Sequence, residues 1–520
     1  MLRRLFLLGL LAVSLFALPT RTQAQSNLAT PNVFRDVSQY HWAASWINQL
    51  YKEGVTGGCS ADPLKYCPDN TVSRAQMAVF LVRVIHGQNF TPPAATTIFG
   101  DVPASHWANR WINQLYTDGV TGGCSASPLL FCPDTGVSRA QMAVFLLRAV
   151  NGKTYTPPAS GNLFGDVPSS YWAHDWIGQF YNDGFTGGCT TSPLNFCPDA
   201  LLNRAQMAVF LLRAIHGSTY SPPAVQLVAP SINGCQILPL NNVWNTPVDN
   251  LPVHPLSDQW VNTLGRAANF HMHFSSGKYN GGPIGLPYNA VSGASVPKYN
   301  VTFQYHLESD PGPYPIPNNP LIEWGSDSHL IVLDTDTCKL YELYEGQYAN
   351  GQWSAGSGAI WDLASNALRP NGWTSADAAG LPILPGLVRY DEVQSGFIYH
   401  ALRFTGRYTN SYLWPARHLT SGTAGVLTST PPFGARFRLK ASYDISGFPP
   451  EMQVILQAMK TYGIILADQT SSDQVWTVTG TPDSRWDQII VHTMDVLTGN
   501  DFEAVDESSL MLDVNSGRTR

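Results

Sequence analysis

A 65-residue repeat constrains this chain more than any other feature of its sequence. The motif Asp36-Val37 returns as Asp101-Val102 and again as Asp166-Val167. Tryptophan pairs, cysteine pairs and an Arg-Ala-Gln-Met segment recur at the same interval. A fixed period indicates a unit that buries its apolar face by packing on its own copies. The predicted repeats span residues 33–88, 98–153 and 163–218.

Each repeat is predicted to contain a helix, a loop and a second helix. In the first repeat, Trp42, Trp46 and Leu50 fall on one helical stripe. The second helix begins after Ser73, which can cap it, and Gln76 completes a capping box. We therefore expect an all-α module, followed by a Pro-rich linker at 219–230.

The eight cysteines indicate disulfides, because their number is even and the chain carries an export signal. Six of them form one pair in each repeat, and the last two remain for each other; zinc binding is the alternative for the repeat pairs. The predicted pairs are Cys59 with Cys67, Cys124 with Cys132, Cys189 with Cys197, and Cys235 with Cys338.

An arginine stands at the first position of each second helix, at Arg74, Arg139 and Arg204. The helix dipole disfavours a cation there, unless an anion binds between the arginine and the free helix N–H groups. The alternative is an arginine that pairs with a neighbouring carboxylate such as Asp69. The residues alone do not decide between these readings.

The order Phe-x-Asp-Val, Gly-Val-Thr-Gly-Gly, Cys-Pro-Asp and Ser-Arg-Ala-Gln-Met resembles the S-layer homology (SLH) repeat, over about residues 33–217. The resemblance implies a pseudo-threefold helical module that holds an exported protein on an anionic cell-wall glycan. It assigns glycan binding to the three arginines. The tryptophans that open each repeat are further glycan-binding candidates: Trp42, Trp107 and Trp172.

The N-terminus and the composition predict an exported, non-nucleic-acid-binding protein. Residues 1–24 have the charged, apolar and small-residue regions of a signal peptide, and the apolar stretch is too short to span a membrane. No later segment is long and apolar enough to do so. Charged residues make up 13% of the chain and the net charge is −7, so nucleic acid is an unsuitable partner. We expect a secreted protein associated with the cell wall or S-layer.

Residues 231–513 are predicted to form a mainly β domain, a sandwich or jelly-roll with minor helices. Short β-branched or aromatic runs, such as 330–333, 339–344 and 396–405, are bounded by Gly, Asp, Asn and Pro. The clearest helix pattern is at 450–462. This domain does not resemble a family that would name its chemistry.

Candidate catalytic residues in this domain are Glu342, Glu345, His400, Asp377 and Arg403. Paired carboxylates are what glycoside hydrolysis needs, although two residues three apart face opposite sides of a strand. A histidine with an arginine fits proton abstraction next to a sugar carboxylate.

His271 and His273 have the spacing of two metal ligands on one strand face, but two histidines alone are weak grounds for a metal. The sequence does not identify a cofactor. Asp327 and His329, just before a strand, are further polar candidates.

The sequence thus predicts an anchored surface protein whose β domain acts on or binds an extracellular polysaccharide. A glycoside hydrolase or lyase is the leading hypothesis. A non-catalytic surface-layer, adhesion or glycan-binding protein is the alternative.

Overall fold

The structure is a computed structural model that describes most of the chain after residue 32. The described residues are 33–61, 64–407, 409–420, 422–423, 425–470 and 475–520. The proposed signal peptide, 1–24, lies outside them. The described residues divide into two compact units. The first contains 42–56 and 71–226, and the second contains 33–41, 57–70 and 227–520.

Six helices of the first unit follow the repeat period. They are α1 Ala44–Lys52, α2 Arg74–His86, α3 Asn109–Thr117, α4 Arg139–Asn151, α5 His174–Asn182 and α6 Arg204–His216. The expected all-α character is not confirmed, because each repeat also contains a short antiparallel hairpin. The hairpin strands are β1 Ser60–Ala61 with β2 Leu64–Lys65, β3 Ser125–Ala126 with β4 Leu129–Leu130, and β5 Thr190–Thr191 with β6 Leu194–Asn195.

The predicted capping boxes are confirmed at α2, α4 and α6. The side chains of Ser73 and Ser138 accept the backbone N–H of the glutamine three residues later, Gln76 and Gln141 respectively. The glutamine side chain in turn accepts the backbone N–H of the serine. Asn203 does the same for α6. Each box fixes the helix start, so Arg74, Arg139 and Arg204 open their helices as the sequence predicts.

A closed ring of backbone hydrogen bonds joins the residues just before these three helices. The Val72 N–H donates to the Leu202 carbonyl, the Leu202 N–H donates to the Val137 carbonyl, and the Val137 N–H donates to the Val72 carbonyl. Each N–O distance is 2.9 Å. The helices α2, α4 and α6 also contact one another in pairs. The first unit therefore has a threefold core, in which each copy closes the backbone of another.

The second unit contains β1 and β2 of the first repeat, the remaining strands and four helices. The strands are β7 Ser231–Ile232, β8 Cys235–Gln236, β9 Phe270–His273, β10 Lys278–Tyr279, β11 Gly282–Pro283, β12 Tyr288–Val291, β13 Lys298–Tyr299, β14 Val301–Phe303, β15 Tyr314–Pro315, β16 Leu330–Asp334, β17 Lys339–Tyr344, β18 Gln347–Ala349, β19 Gln352–Ala355, β20 Ser357–Asp362, β21 Leu402–Gly406, β22 Arg436–Leu439, β23 Ile464–Gln469, β24 Trp476–Thr479 and β25 Phe502–Ala504. The helices are α7 Ser257–Leu264, α8 Tyr390–Ser395, α9 Pro450–Thr461 and α10 Gln488–His492.

The sheets of this unit are mixed, which differs from the sandwich or jelly-roll expectation. The largest sheet has the order β25-β22-β23-β21-β24-β9, and a second has the order β12-β16-β17-β20. The pairs β21–β23, β24–β9 and β12–β16 are parallel. Parallel neighbours need long crossover connections, which the local strand patterns in the sequence do not reveal.

One face of the six-stranded sheet forms the aromatic core of the second unit. Trp476 stacks on Phe270 at 5.1 Å and on Phe404 at 5.4 Å between ring centroids. Phe502 stacks on Phe270 at 4.4 Å. Because side chains alternate along a strand, the residues between these aromatics face the other side of the sheet.

All four predicted disulfides are present. Three lie within repeat loops and close a separation of eight residues each. Cys235–Cys338 closes a separation of 103 residues within the second unit. Longer closed loops restrict the unfolded chain more strongly.

We expect a larger loss of stability from removing Cys235–Cys338 than from removing one repeat disulfide. The chain-entropy model gives about 4.7 kcal/mol for a loop of that length and roughly 2.5 kcal/mol for the short loops. Guanidinium unfolding of a Cys235→Ala/Cys338→Ala variant and a Cys124→Ala/Cys132→Ala variant, each against wild type, measures both losses. An equal or smaller loss for the long loop would contradict the expectation.

Candidate active site

The second face of the six-stranded sheet is polar where β9, β24 and β21 lie side by side. His271 pairs in register with Thr477, and His273 pairs with Thr479. The intervening Phe270 and Met272 are buried in the core, so both histidines project from the opposite face.

A β-bulge adds Asp468 to this polar face. Phe404 pairs with Leu466, but the next residue, Thr405, pairs with Asp468, because Ala467 is the extra residue in β23. Without the bulge, Asp468 would share a face with Leu466, as residues two apart do in a strand. The bulge therefore places a carboxylate beside Thr405, among the polar side chains.

A cavity of about 190 Å³ opens on this face, and we call it the acid–base cavity. It is lined by His271, His273, Leu286, Glu323, Asp327, His329, Arg403, Thr405, Asp468, Gln469, Thr470, Thr477 and Thr479. Nearly all of these side chains are polar, and several are ionisable. Converging ionisable groups in a cavity are the usual mark of an active site.

A buried ion pair forms the floor of the cavity. Arg403 Nε donates to one oxygen of Asp377 at 2.9 Å, and Nη2 donates to the other at 2.8 Å. Arg403 Nη1 also donates to Thr479 Oγ1 at 2.7 Å. Although burial disfavours its charge, the Asp377 carboxylate holds the pKa of Arg403 above its usual value. Arg403 is thus fixed in position and charged.

His329 and Glu323 form a second ion pair in the cavity wall. His329 Nδ1 lies 2.5 Å from Glu323 Oε2, and Nε2 lies 2.9 Å from the Ala376 carbonyl oxygen. Since both ring nitrogens face acceptors, both carry protons. Burial opposes this charge, but the Glu323 carboxylate outweighs it and raises the pKa of His329 to about 9.

Three further titratable side chains line the cavity, those of His271, His273 and Asp468. Burial lowers the pKa of both His271 and His273, so their rings are neutral near pH 7. The Asp468 side chain is three-quarters buried. Burial, and then the nearby Asp377 carboxylate, raises the pKa of Asp468 to about 6, against the opposing effect of Arg403. A protonated Asp468 and a neutral histidine are therefore present together in mildly acidic solution, as general acid–base chemistry requires.

Glu342 does not belong to this site, contrary to the sequence-based hypothesis. Its side chain is fully buried, and it accepts N–H groups from Ile383, Leu384 and the Trp361 indole at 2.9–3.0 Å. Burial raises the pKa of Glu342 to about 7 despite these donors. Its carboxylate thus accepts backbone N–H groups at the start of the 3-10 helix Leu384–Gly386, outside the lining of the acid–base cavity.

Glu345 and His400 also lie apart from the cavity lining. Glu345 follows β17 in a turn with a φ of 51°, so it does not converge with Glu342. His400 precedes β21, because Gly396 ends α8 in a left-handed conformation and delays the strand to Leu402. His400 Nε2 instead contacts Glu392 at 3.1 Å in a buried network. Of the five catalytic candidates, Arg403 lines the cavity and Asp377 supports it.

The two metal-ligand candidates do line the cavity, with ring centroids 6.4 Å apart. In the described part of the chain, no third His, Cys, Asp or Glu ligand atom lies close enough to complete a site with them. The geometry fits His271 and His273 as neutral proton acceptors better than as metal ligands.

Sequence reasoning did not single out Glu323 or Asp468. Each is an acid in an otherwise apolar segment, Pro-Leu-Ile-Glu-Trp and Ile-Ile-Leu-Ala-Asp-Gln. A carboxylate in such a run was the available signal, since buried acids need a partner or a function. The Asp327 and His329 candidates do reach the cavity.

In the repeats, the arginines are buried at contacts between copies. Arg74 Nε donates to the Phe131 carbonyl at 2.8 Å, and its guanidinium lies 4.8 Å from the Phe131 ring. Arg139 makes the equivalent bond to Phe196. Arg204 is also buried, with its guanidinium 5.5 Å from the Phe80 ring.

The backbone N–H groups at the start of these helices are not free to bind an anion, contrary to the expectation from the helix dipole. The Arg74 N–H donates to the Thr135 carbonyl and the Ala75 N–H donates to the Pro133 carbonyl, each with an N–O distance of 2.9 Å. The same bonds occur at the start of α4. A loop of the next copy therefore occupies the position where the expectation placed an anion on the helix dipole.

Trp42, Trp107 and Trp172 are exposed by 61–62%. They lie outside the helices, because α1, α3 and α5 begin two residues later, so the predicted helical stripe is wrong at this position. Three equivalent indoles thus project from the module in the same local context.

Comparison with known proteins supports a surface role for the repeats. A model of the S-layer homology domain matches residues 33–78. A cell surface protein of Thermoanaerobacter kivui is 30% identical over 205 residues, which cover 39% of this chain and 24% of the relative. A cellulosome-anchoring protein of Acetivibrio thermocellus is 26% identical over 163 residues, which cover 30% of this chain and 34% of the relative. An endoglucanase of a Bacillus species is 29% identical over 145 residues, which cover 28% of this chain and 14% of the relative.

The chain spans between 14% and 34% of the length of these curated relatives. The helical repeat unit is thus of the class found in cell-surface proteins. Residues 33–78 are an S-layer homology domain, which confirms the family resemblance for the first repeat. This domain supports an association of the chain with the cell surface or cell wall. None of the helices in the described part of the chain combines the length and apolar character that a membrane crossing requires.

We expect the stability of the second unit to fall as the pH rises from about 6.5 to about 9. Folded His329 keeps a proton that the unfolded chain releases near pH 6.5, so its stabilisation is complete below that pH and is lost through pH 9. The shift corresponds to about 3 kcal/mol. Urea unfolding across this range measures it, and a His329→Gln variant should show a flatter dependence. Parallel curves for the two proteins would contradict the assignment.

Proposed function

We propose that this chain is a cell-surface protein with two functional parts. Its repeats hold it non-covalently on an anionic cell-wall glycan. Its second unit acts on an extracellular polysaccharide by acid–base catalysis in the acid–base cavity. The observation that carries the catalytic part is the convergence of Asp468, His271 and His273 in one cavity with complementary protonation states.

Two features of the repeats support glycan anchoring beyond the family match. The exposed indoles of Trp42, Trp107 and Trp172 offer flat apolar faces, and pyranose rings stack on such surfaces. The Nη2 atoms of Arg74 and Arg139 are buried and make no hydrogen bond to a described residue. A buried donor without a partner is costly, and an acidic sugar oxygen would satisfy it.

The catalytic proposal assigns a step to each group. Protonated Asp468 donates to the leaving glycosidic oxygen as the bond to the anomeric carbon breaks. A neutral His271 or His273 takes a proton from the attacking water, whose oxygen bonds to that carbon. The Arg403–Asp377 pair positions Asp468. Relatives named as a cellulosome-anchoring protein and an endoglucanase support a polysaccharide setting for this chemistry.

For the anchor, a Trp107→Ala/Trp172→Ala variant should sediment with purified cell walls at least about tenfold less well than wild type. The loss of two stacking contacts, each worth about 1 kcal/mol, accounts for this factor. Leu201→Ala is the matched control, because Leu201 is 57% exposed in the same unit. Arginine variants are a poorer test, since they also disturb contacts between copies. Undiminished sedimentation of the tryptophan variant would contradict a role for the indoles.

For the enzyme, wild type should release oligosaccharides from at least one member of a polysaccharide panel. Asp468→Asn should lower the rate by about a hundredfold or more, as expected for loss of a general acid. The wild-type rate should fall as the pH rises above about 6, because Asp468 then loses its proton. Product release is measured by reducing-end assay at each pH.

Glu342→Gln is the matched control for this experiment, because Glu342 is a buried acid with a raised pKa outside the cavity. It should lower thermal stability without a comparable fall in rate. If wild type retains a polysaccharide but releases nothing from any, the unit is a glycan-binding domain and the catalytic proposal fails. An unimpaired Asp468→Asn variant would place the chemistry elsewhere.

A further inference from the structure

A second and larger cavity, of about 610 Å³, is lined in part by residues next in sequence to those of the acid–base cavity. The two are lined by neighbouring residues of the same three segments. Leu286 lines the first and Pro287 the second; Glu323 lines the first and Ile322 the second. In the third segment, Thr479 lines the first cavity and Thr481 the second. We call the second one the proline–tyrosine cavity.

Two of these segments are joined by their backbones. Leu286 N–H donates to the Gly480 carbonyl at 3.0 Å. Gly285 has a φ of 116°, and a Cβ there would lie 2.6 Å from the Gly480 oxygen. A residue with a side chain at 285 would force the segments apart. The close approach therefore holds together two segments that each contribute lining residues to both cavities.

The lining of the proline–tyrosine cavity combines flat apolar surfaces with hydrogen-bonding groups. Pro283, Pro287 and Pro320 contribute rings, and Tyr288 and Tyr390 contribute aromatic side chains. The Arg485 guanidinium lies over the Tyr390 ring, 4.5 Å from its centroid, so Tyr288 is the aromatic side chain that matters for stacking. Thr481 and Asp483 add polar atoms. A sugar presents the same mixture, with C–H faces and a rim of hydroxyl groups, whereas a purely apolar ligand would leave these polar atoms unpaired.

The charges around both cavities are compensated by the protein itself. Arg389, the one Lys or Arg in the described lining of the second cavity, bonds to Glu392 at 2.5 Å. Arg485 bonds to Asp391 at 2.7 Å and to Asp483 at 2.6 Å. In the first cavity, Arg403 is held by Asp377 and His329 by Glu323.

Each lining cation of these two cavities therefore already has a carboxylate partner. A uronate chain needs positive charge for each of its carboxylates, and taking it from these pairs would leave buried acids uncompensated. An uncharged sugar needs only stacking surfaces and hydrogen bonds.

We infer that the proline–tyrosine cavity is a sugar-binding subsite that holds the continuation of an uncharged glycan chain whose reacting unit lies in the acid–base cavity. This inference rests on the proposed function and deepens it. It assigns a neutral polysaccharide, and thus a hydrolase and not a uronate lyase, to the second unit. It also predicts that longer chains bind more tightly, because they reach both cavities.

Calorimetric titration with cellobiose, cellohexaose and the matching oligogalacturonates tests the inference, in the full chain carrying Asp468→Asn so that the ligands are not cleaved. This protein should bind cellohexaose about tenfold more tightly than cellobiose, and should bind the charged oligomers more weakly at each length. Tyr288→Ala should remove the gain with length, since one aromatic stacking contact is worth about a factor of ten. Tyr288→Phe should keep it, and thermal melting checks that both variants fold. Tyr348→Ala, at an exposed tyrosine outside both linings, is the control.

Binding that does not depend on length, or a gain that survives in Tyr288→Ala, would overturn the subsite. Tighter binding of the oligogalacturonates would overturn the neutral substrate class. Both outcomes differ from failure of the proposed function, which would appear as no product from any polysaccharide in the reducing-end assay. The catalytic and subsite assignments can thus fail separately.

Discussion

The buried pair of Arg403 and Asp377 is the interaction on which the site in the second unit depends. Both side chains are almost inaccessible, and two parallel hydrogen bonds join them. Loss of either partner would leave an uncompensated buried charge, at a cost of about 3–5 kcal/mol. Because Arg403 also bonds to Thr479, the pair ties β21 to β24 and to the loop that carries Asp377. A packed apolar pair of similar volume could stabilise the fold as well.

The repeat unit uses buried arginines in a related way. Asp101 accepts the N–H groups of Phe131 and Cys132 and thereby fixes the disulfide-closed loop of the second repeat. The Phe131 carbonyl of that loop then accepts Arg74 from the preceding repeat. The aspartate of one copy thus positions the acceptor for the arginine of another. This chain of contacts explains why Asp-Val, the cysteines and the arginine recur at one fixed interval, and why the arginine is first of all a structural residue.

Sequence reasoning predicted what short-range patterns determine. The capping boxes, the four disulfides and the strands β16 and β17 depend on residues close in the chain or on simple counting. The acid–base cavity depends on segments more than 190 residues apart, from His271 to Asp468. Its key carboxylate reaches the polar face only through a bulge at Ala467, which no periodicity announces. Glu342 was misleading for the same reason, because its three N–H donors come from distant backbone and an indole.

In the proposed mechanism, the pairing of Arg403 with Asp377 argues against a charged sugar and also leaves Asp468 able to act as an acid. Burial is the main cause of the raised pKa of Asp468. Asp377 raises this pKa further and Arg403 lowers it, so together the two act on Asp468 more as a dipole than as a net charge. An unpaired arginine at that position would stabilise the Asp468 carboxylate and hold its pKa well below neutrality. Such an arginine would suit a uronate, yet it would remove the proton that glycosidic cleavage needs. The proposed neutral glycan and the protonated Asp468 of the proposed mechanism thus both follow from one arrangement, in which the arginine of the cavity is paired with a carboxylate.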